Sequence, residues 1–295
     1  MDTFSGYHPL INFTYFVIVI GLSMFYMHPV FLTLSLIGSV SYSIYLKGRK
    51  TVKVFLLGML PVCLLAAAAN PLFSHAGATM LFYMKDGNPV TLESILYGIG
   101  AGVMLAGVVS WFSVFNVVMT SDKFMYLFGK AIPAASLLLS MVLRFVPRFI
   151  GQIKKVSQAQ QCIGRNVNNG KLYERAVHGL KILSITTTWA LENSVETADS
   201  MKSRAYGLRG RTNFSIYRFD RRDSILLTFL LGVFALILAA MGQGWLKILY
   251  FPVFTINATN VGAVLLYILY ALLCAMPLIL NVLEDIKWRS LRSEI

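Results

Sequence analysis

The stretch ADSMKSRAYGLRGRTNFSIYRFDRRD, residues 198–223, separates two very different kinds of sequence. Its basic residues are Lys202, Arg204, Arg209, Arg211, Arg218, Arg221 and Arg222, and a long apolar run follows at residue 224. Near its start, Ser203-Arg204-Ala205 and then Gly207 place small residues around one arginine. Small side chains let another backbone approach closely. The stretch therefore joins a polar region to an apolar one and contains a candidate docking surface for another protein.

Composition indicates an integral membrane protein. Of its 295 residues 57% are hydrophobic and only 13% are charged, whereas about 25% are charged in ordinary soluble proteins. The chain is long enough for several spans of about 20 apolar residues each. We therefore predict an all-α, polytopic membrane protein.

Six apolar runs are candidate membrane spans. A helix break at His28-Pro29 separates the first two, and Asn70-Pro71 is expected to end the third. A further apolar piece at 131–143 is too short to span, so we interpret it as re-entrant or interfacial. Residues 1–9 contain no Lys or Arg, so the first run is expected to be a retained span and not a signal peptide. The spans lie at about 10–27, 30–46, 52–69, 94–119, 224–242 and 262–282.

Basic residues are distributed unevenly among the loops. The turn after the second span contains Lys47, Arg49, Lys50 and Lys53, whereas the 70–93 loop contains only Lys85. Loops that are rich in Lys and Arg face the cytoplasm. With six spans, this asymmetry predicts that both termini and the region 120–223 are cytoplasmic.

The long polar region is predicted to be helical. Between Arg144 and Arg222 there are 15 basic and five acidic residues. Apolar and small residues recur at three- and four-residue steps, which indicates an amphipathic helix over 171–205, roughly 50 Å long. Another helix is predicted over 140–162, with a turn at 166–170 between them. The expected domains are 1–130 with spans one to four, 131–223 with two long amphipathic helices, and 224–295 with spans five and six and a tail.

The two amphipathic helices end in similar short segments. The first ends in Cys162-Ile163-Gly164, followed by Arg165, and the second ends in Ser203-Arg204-Ala205. With the run 198–223, these segments resemble the coupling helices of the transmembrane T subunit of energy-coupling factor transporters, which are ABC-type importers of vitamins and metal ions. The resemblance covers nearly the whole chain. In that family each coupling helix ends in an Ala-Arg-Gly-like triplet that binds a groove on an ATPase subunit.

This resemblance implies a role and a set of partners. The chain is expected to be a non-catalytic, energy-coupling scaffold in a bacterial cell membrane, without a cofactor. Two ABC-type ATPase subunits are expected to hydrolyse ATP, and a small substrate-binding membrane subunit is expected to bind the vitamin or metal ion. The implied docking residues are Ser203, Arg204, Ala205, Gly207 and Arg211 at the second helix end, and Cys162, Ile163, Gly164 and Arg165 at the first.

The first triplet departs from the family pattern. Ile163 occupies the position of the arginine, and Arg165 follows two residues later. An isoleucine cannot make the two-point contact that arginine makes with a carboxylate. We therefore expect unequal docking points, with the one at 203–205 stronger.

Motifs of other chemistry are missing from the sequence. There is no GxxxxGK[ST] phosphate loop, so the chain is not expected to bind ATP itself. Gly98, Gly100 and Gly102 are better explained by close packing of helices. Aromatic residues do not alternate with the basic ones, which argues against nucleic-acid binding. No metal site or disulfide framework can be assembled from the scattered His8, His28, His75 and His178 or from Cys63, Cys162 and Cys274.

Two alternative functions remain open. A self-sufficient ABC permease or secondary transporter would have its own substrate path, usually with an intramembrane charged group. Glu93, Glu284 and Asp285 all lie at predicted span edges. A membrane enzyme would need clustered His, Asp and Glu residues near a membrane face. The sequence favours the T subunit over both.

Overall fold

The computed structural model describes residues 2–48, 52–53, 55–74, 76–83, 89–129, 132–165, 171–206, 217–246, 248–256 and 261–293. The chain folds as two compact units. The first unit consists of Met1–Ser121 and Tyr217–Ile295, and the second unit consists of Asp122–Ile216.

Helices dominate both units. In chain order, a 3₁₀ turn at Phe4–Gly6 precedes α1 (Pro9–Phe25), α2 (Pro29–Lys47), a π-helical turn (Phe55–Met59) and α3 (Leu60–Phe73). Then come β1 (Met80–Tyr83), β2 (Pro89–Thr91), α4 (Leu92–Val118), α5 (Ser121–Gly129), α6 (Pro133–Cys162) and α7 (Leu172–Ser203). The chain continues with α8 (Arg221–Gly242), β3 (Ile248–Leu249), β4 (Thr255–Ile256) and α9 (Val261–Ser293). The strands form two small antiparallel hairpins, β1–β2 and β3–β4, which the sequence analysis did not predict.

The chain is an all-α, polytopic membrane protein. Within the described residues, five helices are long and apolar enough to cross a membrane: α2, α4, α6, α8 and α9. The first and third predicted spans correspond to α1 and α3, which are apolar but shorter. Each of the six predicted spans thus coincides with an apolar helix, and α6 is a further candidate that the sequence analysis did not count among the spans.

The core of the first unit is aromatic. Helices α1, α2, α4, α8 and α9 contribute to one cluster of buried side chains. Tyr15 and Phe16 pack edge-on against Trp111, with ring centroids 5.9 and 6.2 Å away. The Trp111 Nε1–H donates a 2.9 Å hydrogen bond to Ser35 Oγ, so the buried indole has a polar partner. These contacts join α1, α2 and α4.

Two His-Pro pairs begin α1 and α2 in the same way. His8 and His28 are the N-cap residues, and a proline follows each at the first helical position. The His8 Nδ1 accepts the Leu10 N–H at 3.2 Å, and the His28 Nδ1 accepts the Val30 N–H at 3.3 Å. Proline suits this position because its missing N–H is not needed there. The break predicted at His28-Pro29 is therefore a capped helix start.

Close backbone contacts join α3 to α4. A Cβ atom on Gly98 would lie 2.7 Å from the Ala67 carbonyl oxygen, and one on Gly102 would lie 2.7 Å from that of Cys63. The expectation of close packing is confirmed for these two glycines, while Gly100 faces the Tyr250 hydroxyl. Contrary to expectation, α3 does not end at Asn70-Pro71 but continues to Phe73. Proline has no N–H, so Pro71 cannot donate the helical hydrogen bond to the Ala67 carbonyl. That carbonyl lies against Gly98 of α4.

Helix α6 is longer than predicted. The apolar piece at 131–143 and the amphipathic helix at 140–162 are parts of one helix that begins at Pro133. Neither Arg144 nor Pro147 interrupts it. Within the described residues the piece is therefore not a separate segment, and its interfacial position stays a prediction. Charge alone does not break a helix, because arginine has a high helix propensity.

Candidate docking site at two helix ends

Helices α6 and α7 pack side by side in the second unit. The Phe149 ring meets the Trp189 ring edge-on, with centroids 5.9 Å apart. The Arg148 guanidinium carbon lies 5.7 Å from the centre of the same indole, within the range of a cation–π interaction. Ile182 and Val156 are buried. These contacts pack the two helices against each other.

Both helices end in the same backbone motif. After α6, the Gly164 N–H donates to the Gln161 carbonyl at 3.0 Å and the Arg165 N–H donates to the Gln160 carbonyl at 2.9 Å. After α7, the equivalent bonds run from Ala205 to Lys202 at 3.0 Å and from Tyr206 to Met201 at 3.1 Å. This pair of bonds defines a Schellman motif, in which the residue after the cap is left-handed. Accordingly, φ is +79° at Gly164 and +59° at Ala205.

This shared motif fixes which residues are equivalent. Cys162 and Ser203 are the last helical residues, Ile163 and Arg204 are the C-caps, and Gly164 and Ala205 are left-handed. Ile163 thus occupies the backbone position of Arg204. Arg165 corresponds to Tyr206 and not to Arg204.

The two triplets lie at opposite ends of the helix pair. Met141 of α6 and Ala198 of α7 line one groove, so the start of α6 lies beside the end of α7. Cys162 lies 21 residues beyond Met141 on the same helix, which is about 30 Å at 1.5 Å per residue. The structure therefore contains two separate helix ends and not one combined site.

Both helix ends are accessible. Ser203, Arg204 and Ala205 are exposed, as are Cys162 and Ile163, whose side chain is 61% exposed. Gly164 and Arg165 are exposed as well. The remaining predicted docking residues, Gly207 and Arg211, lie outside the described residues. Sequence reasoning did not identify Tyr206, although its place after Ala205 matches that of Arg165 after Gly164.

Carboxylates of the first unit have structural contacts. Glu93 is buried, and its carboxylate accepts bonds from the Thr79 N–H at 3.2 Å and the Thr79 hydroxyl at 2.7 Å. Asp285 accepts a 2.7 Å bond from the Tyr45 hydroxyl. Within the part of the chain that the structure describes, no group of three or more His, Cys, Asp or Glu side chains could hold a metal ion.

Comparison with known proteins finds several relatives that are named EcfT. The chain is 30% identical over 113 residues to the "Energy-coupling factor transporter transmembrane protein EcfT" of Lactobacillus helveticus, covering 38% of this chain and 41% of that protein. It is 26% identical over 188 residues to EcfT 1 of Listeria monocytogenes, covering 59% and 70%. It is 23% identical over 165 residues to EcfT of Staphylococcus aureus, covering 52% and 62%. The chain is a homologue of EcfT proteins.

These matches cover only part of the relatives. The match spans about two fifths of the length of the Lactobacillus helveticus EcfT. No protein-family model matches the chain. By their names, the EcfT relatives are transmembrane proteins of energy-coupling factor transporters.

Proposed function

We propose that the chain is the T subunit of an energy-coupling factor importer of a micronutrient, either a vitamin or a metal ion. The observation that carries this proposal is the pair of exposed, equivalent Schellman caps in a homologue of EcfT. Two ATPase subunits bind these caps and hydrolyse ATP, and a separate small membrane protein binds the substrate. On this reading both termini and the second unit face the cytoplasm, where ATP is available.

Arg204 is the central docking residue of this proposal. Its guanidinium contacts a carboxylate on one ATPase subunit, while Ser203 and Ala205 are small enough to let the helix end approach. Gly207 and Arg211 extend the same contact. At the other helix end, Cys162 and Gly164 flank Ile163, which offers an apolar contact only. Arg165 is displaced by two positions, so this docking point is the weaker one.

The helix pair supplies a route for mechanical coupling. At 1.5 Å per residue, the 30 residues of α6 and the 32 of α7 make rods of about 45 Å and 48 Å. The Trp189 contacts tie these rods together, so a displacement at either cap moves both helices. A conformational change of the bound ATPase subunits would therefore shift the pair as a unit.

The alternative is a self-sufficient permease or secondary transporter. Such a protein needs its own polar substrate path through the membrane. In the first unit, Glu93 and Asp285 bond to neighbouring side chains, which favours a structural role for them. This alternative serves as the competing outcome of the experiment below.

A pull-down in mild detergent tests the proposal. The tagged full chain is expected to copurify with ABC-type ATPases and with one or more small membrane proteins, identified by mass spectrometry. The number of those membrane proteins shows whether the module is shared between substrates. Transport by the purified chain alone, without an ATPase, would establish the permease instead.

A further inference from the structure

The β1–β2 hairpin of the first unit joins the end of α3 to the start of α4. Hydrogen bonds tie its base to α4, because the Glu93 carboxylate accepts the Thr79 N–H and hydroxyl, and the Leu92 N–H donates to the Thr79 carbonyl at 3.0 Å. The Ser94 hydroxyl donates to the Ser74 carbonyl at 2.7 Å, which holds the end of α3 beside the start of α4. The position of the hairpin relative to both helices is therefore fixed.

The start of α4 is expected at the boundary of a bilayer. At 1.5 Å per residue, its 27 residues are about 40 Å long, which is close to the thickness of a bilayer with its headgroups. Exposed apolar side chains occur along the whole helix, from Leu92 to Val117. Glu93 is the one charged residue in the sequence of α4, and a carboxylate is costly in hydrocarbon. We therefore expect the first turn of α4, and the hairpin tied to it, at the level of the headgroups.

The side chains of β1 are apolar or aromatic and are exposed. Met80, Leu81, Phe82 and Tyr83 each have more than half of their surface exposed. An edge strand in water is normally protected by charged side chains or by a covering element, but β1 contains no charged residue. Water is therefore an unfavourable environment for this strand.

The geometry of β1 favours lipid over the addition of another strand. The pairing of β1 with β2 is irregular between Met80 and Phe82, so Leu81 is the extra residue of a bulge. A bulge twists the strand and interrupts its row of backbone donors and acceptors, which disfavours pairing with a further strand. Tyrosine, which ends β1 at Tyr83, is enriched where lipid meets water. In the headgroup layer, the free backbone groups of β1 can also bond to water, which hydrocarbon would not allow.

We propose that β1 is an interfacial anchor whose side chains insert into the headgroup layer of a phospholipid bilayer. Phe73, which is 86% exposed at the end of α3, lies in the same layer. The anchor sets the depth of α3 and α4 in the membrane. This assignment is independent of ATPase docking, because none of these residues belongs to either helix cap. It also holds whichever side of the membrane the hairpin faces.

Spin labelling of the full chain in phospholipid nanodiscs tests this proposal. In a background with Cys63, Cys162 and Cys274 replaced by alanine, a nitroxide is attached at Leu81→Cys or at Phe82→Cys. Its collision rates are measured with oxygen, which concentrates in lipid, and with a water-soluble nickel chelate. At both positions the ratio of the oxygen rate to the nickel rate is expected to be severalfold higher than at a site in water.

Two other exposed positions of the first unit calibrate this ratio. Arg292→Cys, near the end of α9, gives the value for water, and Leu105→Cys, in the middle of α4, gives the value for hydrocarbon. Ratios at Leu81 and Phe82 that lie between these two values support the anchor. Ratios equal to that at Arg292 would overturn it. Low collision rates with both reagents would also overturn it, and would assign β1 to a contact with another protein chain.

Discussion

Ala205 has a backbone conformation that its side chain disfavours. Its φ of +59° is the one positive value at a non-glycine residue among the residues described. The left-handed region costs an L-residue about 1–2 kcal/mol, and glycine avoids most of this cost. The equivalent position after α6 is Gly164. The end of α7 is therefore the more strained of two otherwise matching helix ends.

Replacing Ala205 with glycine should stabilise this cap. We expect Ala205→Gly to raise the free energy of local opening at the cap by about 1 kcal/mol. Amide hydrogen exchange at Tyr206, whose N–H closes the motif, should slow accordingly. Gly164→Ala should have the opposite effect at Arg165. The measurement is hydrogen exchange of the detergent-solubilised protein. Faster exchange at Tyr206 in Ala205→Gly would contradict the assigned geometry.

His28 should make the stability of the first unit depend on pH. The residue is buried between α1 and α2, its Nδ1 accepts the Val30 N–H, and its Nε2 lies 3.1 Å from the Tyr267 hydroxyl oxygen. Burial lowers the pKa of His28. The folded state then binds a proton less readily than the unfolded state, where the pKa is about 6.5. Neutral His28 therefore contributes its full stabilisation above about pH 6.5. This contribution is lost as the pH falls from there towards the lowered pKa.

A comparison of two histidine variants measures this effect. The melting temperature of wild type should fall between about pH 7.5 and about pH 5, and His28→Asn should show a smaller fall. Asparagine can still cap the helix without titrating. His178→Asn on α7 should behave as wild type does. An equal fall in wild type and His28→Asn would show that His28 is not responsible.

At the scale of elements, the sequence predicted the helices that have a strong local pattern. The apolar runs identified the membrane helices, because long apolar segments in a membrane must satisfy their backbone bonds internally. The end of α3 was misplaced, because Pro71 is tolerated where the Ala67 carbonyl meets Gly98. The start of α6 was placed too late, because its apolar first turns were interpreted as a separate segment although no glycine or proline within residues 134–140 separates them from the amphipathic part. The first of these outcomes depends on tertiary context.

The candidate docking site was predictable where it depends on local sequence and not where it depends on packing. The sequence aligned Cys162-Ile163-Gly164 with Ser203-Arg204-Ala205, and the backbone motif makes these triplets equivalent. Their separation by about 30 Å along α6 follows from antiparallel packing, which no local pattern specifies. Ala205 gave no signal of a left-handed backbone, because alanine rarely adopts one.

Close packing of α3 on α4 predicts a position-specific effect of added methyl groups. Gly102→Ala would place Cβ 2.7 Å from a backbone oxygen of α3, and such overpacking costs about 1–3 kcal/mol. Gly232→Ala in α8 meets no atom within 4 Å, so it should be neutral or slightly stabilising. Thermal unfolding in detergent compares the two. Equal melting temperatures would mean that α3 and α4 are not in close contact.

At the scale of the whole molecule, orientation in the membrane remains a prediction from the basic loops. In a background with Cys63 and Cys274 replaced by alanine, Cys162 should react with a membrane-impermeant maleimide only from the cytoplasmic side. With Cys162 also replaced, Tyr83→Cys on β1 should react only from outside. The measurement compares intact cells with inverted vesicles. Labelling of both positions from the same side would contradict the six-span arrangement.

Arg204 provides the most direct test of the proposed coupling role. Removing one partner of a buried interfacial charge pair costs about 2–5 kcal/mol, which is roughly a 30- to several-thousand-fold loss of affinity. Arg204→Ala should therefore lose ATPase copurification and transport while inserting into the membrane at normal levels, and Arg204→Lys should restore them only partly. Arg165→Ala should cost much less, and Ile163→Arg should strengthen docking. An Arg204→Ala protein that copurifies with its ATPases as wild type does, and transports normally, would contradict the account.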